Sequence, residues 1–171
     1  NVLSTDGTGK IILKTSKTNS GSIIANNDTG GYKLDFVRTL DSDNEITFLG
    51  IPVTDELIQD VITNHSLRTG SGSNDGKSFL GYFDNSSSTY YATSGNSGNL
   101  GTGSNSGGKS LTSATGFIIS PSGSGSTDIT ISGSTTNEDT NGSFTVYRAS
   151  GTYGAYHLVG NPYPAYVALN A

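Results

Sequence analysis

Tyr32-Lys33-Leu34-Asp35-Phe36-Val37-Arg38 alternates apolar and polar residues with a period of two, as a strand does when one face meets a core and the other meets water. After the turn Asp41-Ser42-Asp43-Asn44 comes a second extended run, Ile46-Thr47-Phe48-Leu49-Gly50-Ile51, stopped by Pro52 ahead of Val53. Proline has no backbone N–H to give a ladder, so Gly50-Ile51-Pro52 reads as a corner. The figure returns 110 residues later: Phe144 and Val146 stand as Leu34 and Phe36, Arg148 as Arg38, and Leu158-Val159-Gly160-Asn161-Pro162 as Phe48-Leu49-Gly50-Ile51-Pro52. One structural idea is used twice, at about 32–53 and 142–163, with Gly50, Pro52, Gly160 and Pro162 as its turn residues.

The remaining strand signals are short and closely spaced. Lys10 to Thr15, Ser22 to Ala25, Phe79 to Phe83, Thr89 to Ala92, Gly116 to Ile119, Asp128 to Ile131, Tyr156 to Val159 and Ala165 to Leu169 are rich in β-branched and aromatic residues and bounded by Gly, Ser, Asn and Asp. The first pieces read as a meander. One helix is expected, capped by Thr54, with Asp55 and Glu56 in its first turn and Leu57, Ile58, Val61 and Ile62 on one face. Residues 94–113 form a low-complexity loop. The sum predicts a mostly all-β chain, an antiparallel β-sandwich or jelly-roll-like fold with one short helix and long Gly/Ser-rich loops, organised as a single domain over 1–171.

Composition narrows the function. Gly, Ser, Thr and Asn make up just over half of the 171 residues, yet nine Tyr and six Phe lie within the short β runs and only 13% of residues are charged. That is the profile of a β-protein with polar loops rather than of a disordered chain. The net charge is −5 and the nine Lys and Arg are scattered, which speaks against nucleic acid and anionic membrane surfaces as partners. With no cysteine there is neither a disulfide nor a thiolate nucleophile. No run approaches the length of a membrane span. Starting at Asn1 rather than Met, the chain reads as a mature product or an excised fragment.

The motifs that carry chemistry are weak. Gly103-Ser104-Asn105-Ser106-Gly107-Gly108-Lys109-Ser110 matches a P-loop in letters, but lacks the strand before it and the helix after it that phosphate binding needs. His65 and His157 are the only histidines and no Gly-x-Ser-x-Gly elbow exists. The carboxylate pairs Asp55/Glu56, Asp41/Asp43 and Glu138/Asp139 fall in turns or at a helix start. No catalytic residue is assigned, and the chain is expected not to be an enzyme. The oxygen-rich turns holding Asp41, Asp43, Asn137 and Asp139 suit calcium, the only cofactor considered, against the plainer reading of Asx turns. Tyr90 and Tyr91 are candidates for stacking on sugar rings, since neighbouring strand residues face opposite sides. Arg38 and Arg148 suit a snorkelling role or a sheet edge, which charge protects from unwanted pairing.

Gly160-Asn161-Pro162-Tyr163-Pro164 brings a resemblance. The chain is similar to a module of secreted and cell-surface proteins of Bacteroidota, especially flavobacteria, that ends in a Leu-Val-Gly-Asn-Pro-Tyr phrase and lies upstream of type IX secretion sorting domains. The matching pieces are Gly21-Ser22-Ile23-Ile24, Thr47 to Val53 with the helix from Asp55 to Ile62, the hairpin Tyr82 to Tyr91, and Gly116-Phe117-Ile118-Ile119. Phe48 and His157 depart from it, standing near places where the family often has Trp. The resemblance implies a secreted or surface-anchored, adhesin-like protein with no known chemistry in this module. It also implies O-glycosylation at Asp-Ser/Thr dipeptides, here at Thr29, Ser42 and Thr140. The leading expectation is a non-enzymatic extracellular structural or adhesive module, self-assembling by strand addition or joined to other domains of a larger surface protein, with the segment from Asn1 to Thr18 as a strand donor. The alternative is a carbohydrate-binding module of a secreted polysaccharide-acting protein, with glycans as partners.

Overall fold

The computed structural model describes residues 2–5, 10–23, 32–41, 46–70, 77–84, 89–94, 116–135 and 160–161, with the backbone alone for 2–5, 82–84 and 89–94. Nine strands and one helix are formed by these residues: β1 (Val2–Thr5), β2 (Ile11–Thr15), β3 (Lys33–Asp41), β4 (Thr47–Gly50), β5 (Val53–Thr54), α1 (Ile58–Asn64), β6 (Lys77–Asp84), β7 (Thr89–Ser94), β8 (Gly116–Ile119) and β9 (Ser126–Thr135). The fold is all-β. Sheet A runs β1-β2-β3-β9-β5 and sheet B runs β4-β8-β6-β7. Among the described residues, no helix is long and apolar enough to cross a membrane.

The alternation that marks residues 32–38 positions the core. Leu34, Phe36 and Leu40 of β3 are buried, and so are Ile129 and Ile131 of the antiparallel partner β9. The register runs unbroken from Lys33↔Ser134 to Asp41↔Ser126. Leu49, Leu80, Phe117 and Ile119 of sheet B join these residues in one apolar cluster, which Ile58 and Val61 of α1 complete. Burying a branched side chain of this kind contributes roughly 1.5–3 kcal/mol, so this shared layer is what holds the two sheets together.

β4 ends in sheet B and β5 begins in sheet A, so Gly50-Ile51-Pro52 carries the chain from one sheet to the other. Ile51 and Val53 are fully buried on either side of the buried Pro52. The two copies of the repeated figure touch here. A Cβ placed on Gly50 would lie 2.6 Å from the Cα of Gly160 and 3.2 Å from the Asn161 nitrogen. Gly50 pairs across the ladder with Gly116, and its lack of a side chain admits the backbone at Gly160.

Several expectations are corrected. β2 and β3 are parallel, so the first strands are not a meander, and Ser22-Ile23 belongs to no strand. Ser94 closes β7 opposite Lys77 rather than opening a loop. Arg38 lies in a central strand, not at an edge, and its Nη1 donates to the Ser16 carbonyl just beyond β2 (2.6 Å). The helix starts later than the caps suggest. Thr54 is drawn into pairing with Ser134, and Asp55 takes φ +76°, a left-handed conformation that aspartate tolerates better than most residues. Leu57 then occupies the N-cap without a side-chain hydrogen bond. The expected strands at 144–147, 156–159 and 165–169, together with Arg148, His157 and Pro162, lie outside the described residues.

Gly50→Ala is expected to destabilise the fold by roughly 1–3 kcal/mol, the range for overpacking a filled site. Phe48→Ala, two residues away on an exposed position, should stay within about 0.5 kcal/mol. Urea unfolding of both variants measures the difference.

Candidate interaction surfaces

Three surfaces follow from this architecture, beginning with the face of sheet A turned away from the core. Strand alternation places Lys14, Asp35, Thr39, Asp128 and Ser132 there. Lys14 Nζ donates to Asp128 Oδ2 at 2.5 Å and Thr39 Oγ1 to Asp128 Oδ1 at 2.6 Å. These two hydrogen bonds, the lysine first, lower the Asp128 pKa from its usual 3.8. A second row crosses the sheet where Lys10 Nζ sits 3.1 Å from Asp35 Oδ1 and Ser132 Oγ donates to the same oxygen at 2.5 Å. Lys33 Nζ donates to Ser134 Oγ (2.9 Å). Acid and base are matched across this face, which reads as a solvated outer surface of modest energetic weight.

The second surface is the edge of β9. β5 pairs only with Ser134 and Thr135. Beyond them, side chains on either side of α1 stand in for the missing strand. Ser132 N donates to Glu56 Oε2 at 3.0 Å. His65 Nε2 lies 2.9 Å from the Thr130 carbonyl oxygen and 3.2 Å from the Thr130 nitrogen. A protonated Nε2 donates to the carbonyl, whereas a bare Nε2 accepts from the amide, so one nitrogen serves one group at a time. Covering an edge in this way keeps unpaired backbone groups from recruiting foreign strands. Burial raises the Glu56 pKa from its usual 4.5; the Ser132 amide opposes this, Asp60 and Asp35 add to it, and Lys10 relieves it.

The third surface is the outer face of sheet B. Phe48 is 64% exposed and Ile46 52% exposed. Phe48 pairs with Ile118, which in turn stands opposite Gly81, so a ring, a branched side chain and a position with no side chain follow one another across the sheet. On the same sheet the Arg68 guanidinium lies over the Phe79 ring, 5.6 Å from its centre, a cation–π contact. Segment Leu67 to Gly70 reaches this region by wedging between two strands that diverge, with Arg68 N donating to the Ser120 carbonyl and Phe79 N to the Arg68 carbonyl.

The residues singled out from sequence are not gathered into one site. Tyr90 stands opposite Phe83 and Tyr91 opposite Tyr82, consecutive positions that alternate between the faces of sheet B. Asp41 faces Lys17 at 3.6 Å and pairs with Ser126, at the end of the β3–β9 ladder away from Thr135. Asp43, Asn137 and Asp139, and the glycosylation candidates Thr29, Ser42 and Thr140, lie outside the described residues. Among the described residues, no group of three or more His, Cys, Asp or Glu is placed to hold a metal ion. Phe48, Glu56 and Lys14 were not singled out as site residues in the sequence. Phe48 had a signal, because the adjacent pair Phe48-Leu49 must send one apolar side chain to each face of a strand. No protein-family model, curated protein or solved structure matches the chain.

The two carboxylates give opposite pH dependences. Glu56, raised in the fold, contributes its stability below pH 4.5 and loses it as pH rises through the folded value. Asp128, lowered in the fold, contributes above pH 3.8 and loses it as pH falls through the folded value. Glu56→Gln keeps an acceptor for Ser132 N and should raise stability at neutral pH relative to the parent chain, the gain vanishing in acid. Asp128→Asn should lower it at neutral pH, and that loss should also vanish in acid. Urea midpoints across the acid-to-neutral range read both.

Proposed function

We propose that this chain is a non-enzymatic structural and adhesive β-module of a bacterial surface protein, exported from the cell and working by association with neighbouring copies or with other domains of a larger surface protein. The observation that carries the reading is the outer face of sheet B, where Phe48 of β4 and Ile46 just before it stay exposed on the strand that forms the sheet's edge among the described residues. The run Ile46 to Ile51 holds no charged residue, and charge is the usual guard on a strand of this kind. Contiguous exposed apolar surface of this sort marks contact sites. The sheet A face supports the reading by contrast, because its charged side chains are engaged with one another. The Asn-Pro-Tyr phrase and the resemblance it brings support a cell-surface setting for such a module.

A second reading rests on the same residue. The exposed Phe48 ring offers a flat surface for the apolar face of a sugar, which adds β4 to Tyr90 and Tyr91 as a place for the carbohydrate-binding alternative.

Phe48→Lys with Ile46→Lys should abolish concentration-dependent association in sedimentation velocity and attachment of the purified chain to cells, while leaving the far-ultraviolet spectrum unchanged. Parent protein that stays monomeric at high concentration, and that forms no polymer on native cells, refutes the module reading. Binding on a glycan array that Phe48→Lys alone removes selects the carbohydrate reading instead.

A further inference from the structure

The two edges of sheet A are unlike each other and complementary. One is β1, a four-residue terminal strand held only by β2 among the described residues. Its sequence, Val2-Leu3-Ser4-Thr5, carries no charge and no proline. The other is the outer side of β9, where strand pairing among the described residues is confined to Ser134 and Thr135. From Ser126 to Ser132 the described residues that cover it are Glu56 and His65, through their side chains. These hang from a strap of small intrinsic stability: α1 has seven residues and no side-chain cap, too short to be helical by itself, and Asp55 ahead of it sits at φ +76°.

We propose that the outer edge of β9 between Ser126 and Ser132 accepts β1 of a second copy of this chain, with Glu56 and His65 as the side chains that must yield. Four residues of strand span about 13 Å, the stretch from Asp128 to Ser132 that holds both capped residues, Thr130 and Ser132. Charge does not oppose the pairing: the acidic residues beside the β9 edge are Asp55, Glu56 and Asp60, and the basic residues beside β2, Lys10, Lys14 and Lys17, are each paired with an acid of their own copy. β1 runs antiparallel to β2, β2 parallel to β3, and β3 antiparallel to β9. β1 and β9 therefore point the same way, and a copy added by translation pairs them in parallel. The edges lie on opposite sides of one sheet, so each addition leaves a fresh acceptor and the assembly does not close.

This inference rests on the reading of the chain as an assembly module but uses a different surface from Phe48, so the two fail separately. Sedimentation velocity over a concentration series compares the full chain with Glu56→Ala/His65→Ala, and with that variant carrying Leu3→Pro. Freeing the edge should lower the concentration at which large species appear by roughly tenfold, and Leu3→Pro should reverse the shift. A folded Glu56→Ala/His65→Ala chain that sediments as the parent does, or that assembles equally well with Leu3→Pro, overturns the proposal. Should that variant fail to fold, hydrogen exchange on the parent decides. Amides of β1 should slow as concentration rises, and unchanged exchange overturns the proposal even if Phe48→Lys still abolishes adhesion.

Discussion

Four residues, Gly50 to Val53, connect the two sheets, and the whole arrangement turns on them. Ile51 and Val53 are fully buried and Pro52 is buried between them, so the crossing contributes to the core instead of looping around it. At the start of the crossing, Gly50 leaves room for a second backbone at Gly160. A side chain at Gly50 displaces that backbone or the strand that carries it. Close packing leaves no slack for either.

Sheet A illustrates two ways of finishing a sheet that has run out of strands. Where β5 ends, a carboxylate and an imidazole take over the backbone groups of Ser132 and Thr130. The carboxylate does this in a partly buried place crowded by Asp60 and Asp35, with Lys10 as its relief. Asp128, exposed and held by Lys14 and Thr39, is in the opposite situation. The same residue class therefore strains one part of the sheet at neutral pH and fastens another.

Some of this was legible in the chain. The period-two run at residues 32–38 placed β3 and its buried face, because a half-buried strand leaves a local signature. The repeated Gly-x-Pro figure predicts equivalent corners; of the second corner only Gly160 and Asn161 are described, and they lie against Gly50. What escaped was long-range. Nothing near Thr54 announces that it will pair with Ser134, yet that pairing delays the helix past Asp55. The parallel alignment of β2 and β3 depends on how the chain returns between them, which short turn signals do not encode. Glu56 looked like a helix-start acid and serves Ser132 instead, 76 positions away.

The β3–β9 ladder has a consequence for when this chain acquires its shape. Its partners are widely separated in sequence: Lys33 and Ser134 stand 101 positions apart, and Thr39 and Asp128 stand 89 apart. Synthesis proceeds from the amino end, so β1 to β3 are made long before the strand that completes their sheet. Closing so large a loop is costly before any contact rewards it. The segment from β1 to β3 therefore waits, without its central partner, until residues near 135 have emerged. A chain that stays open this late is one that can be threaded through a narrow passage before it locks.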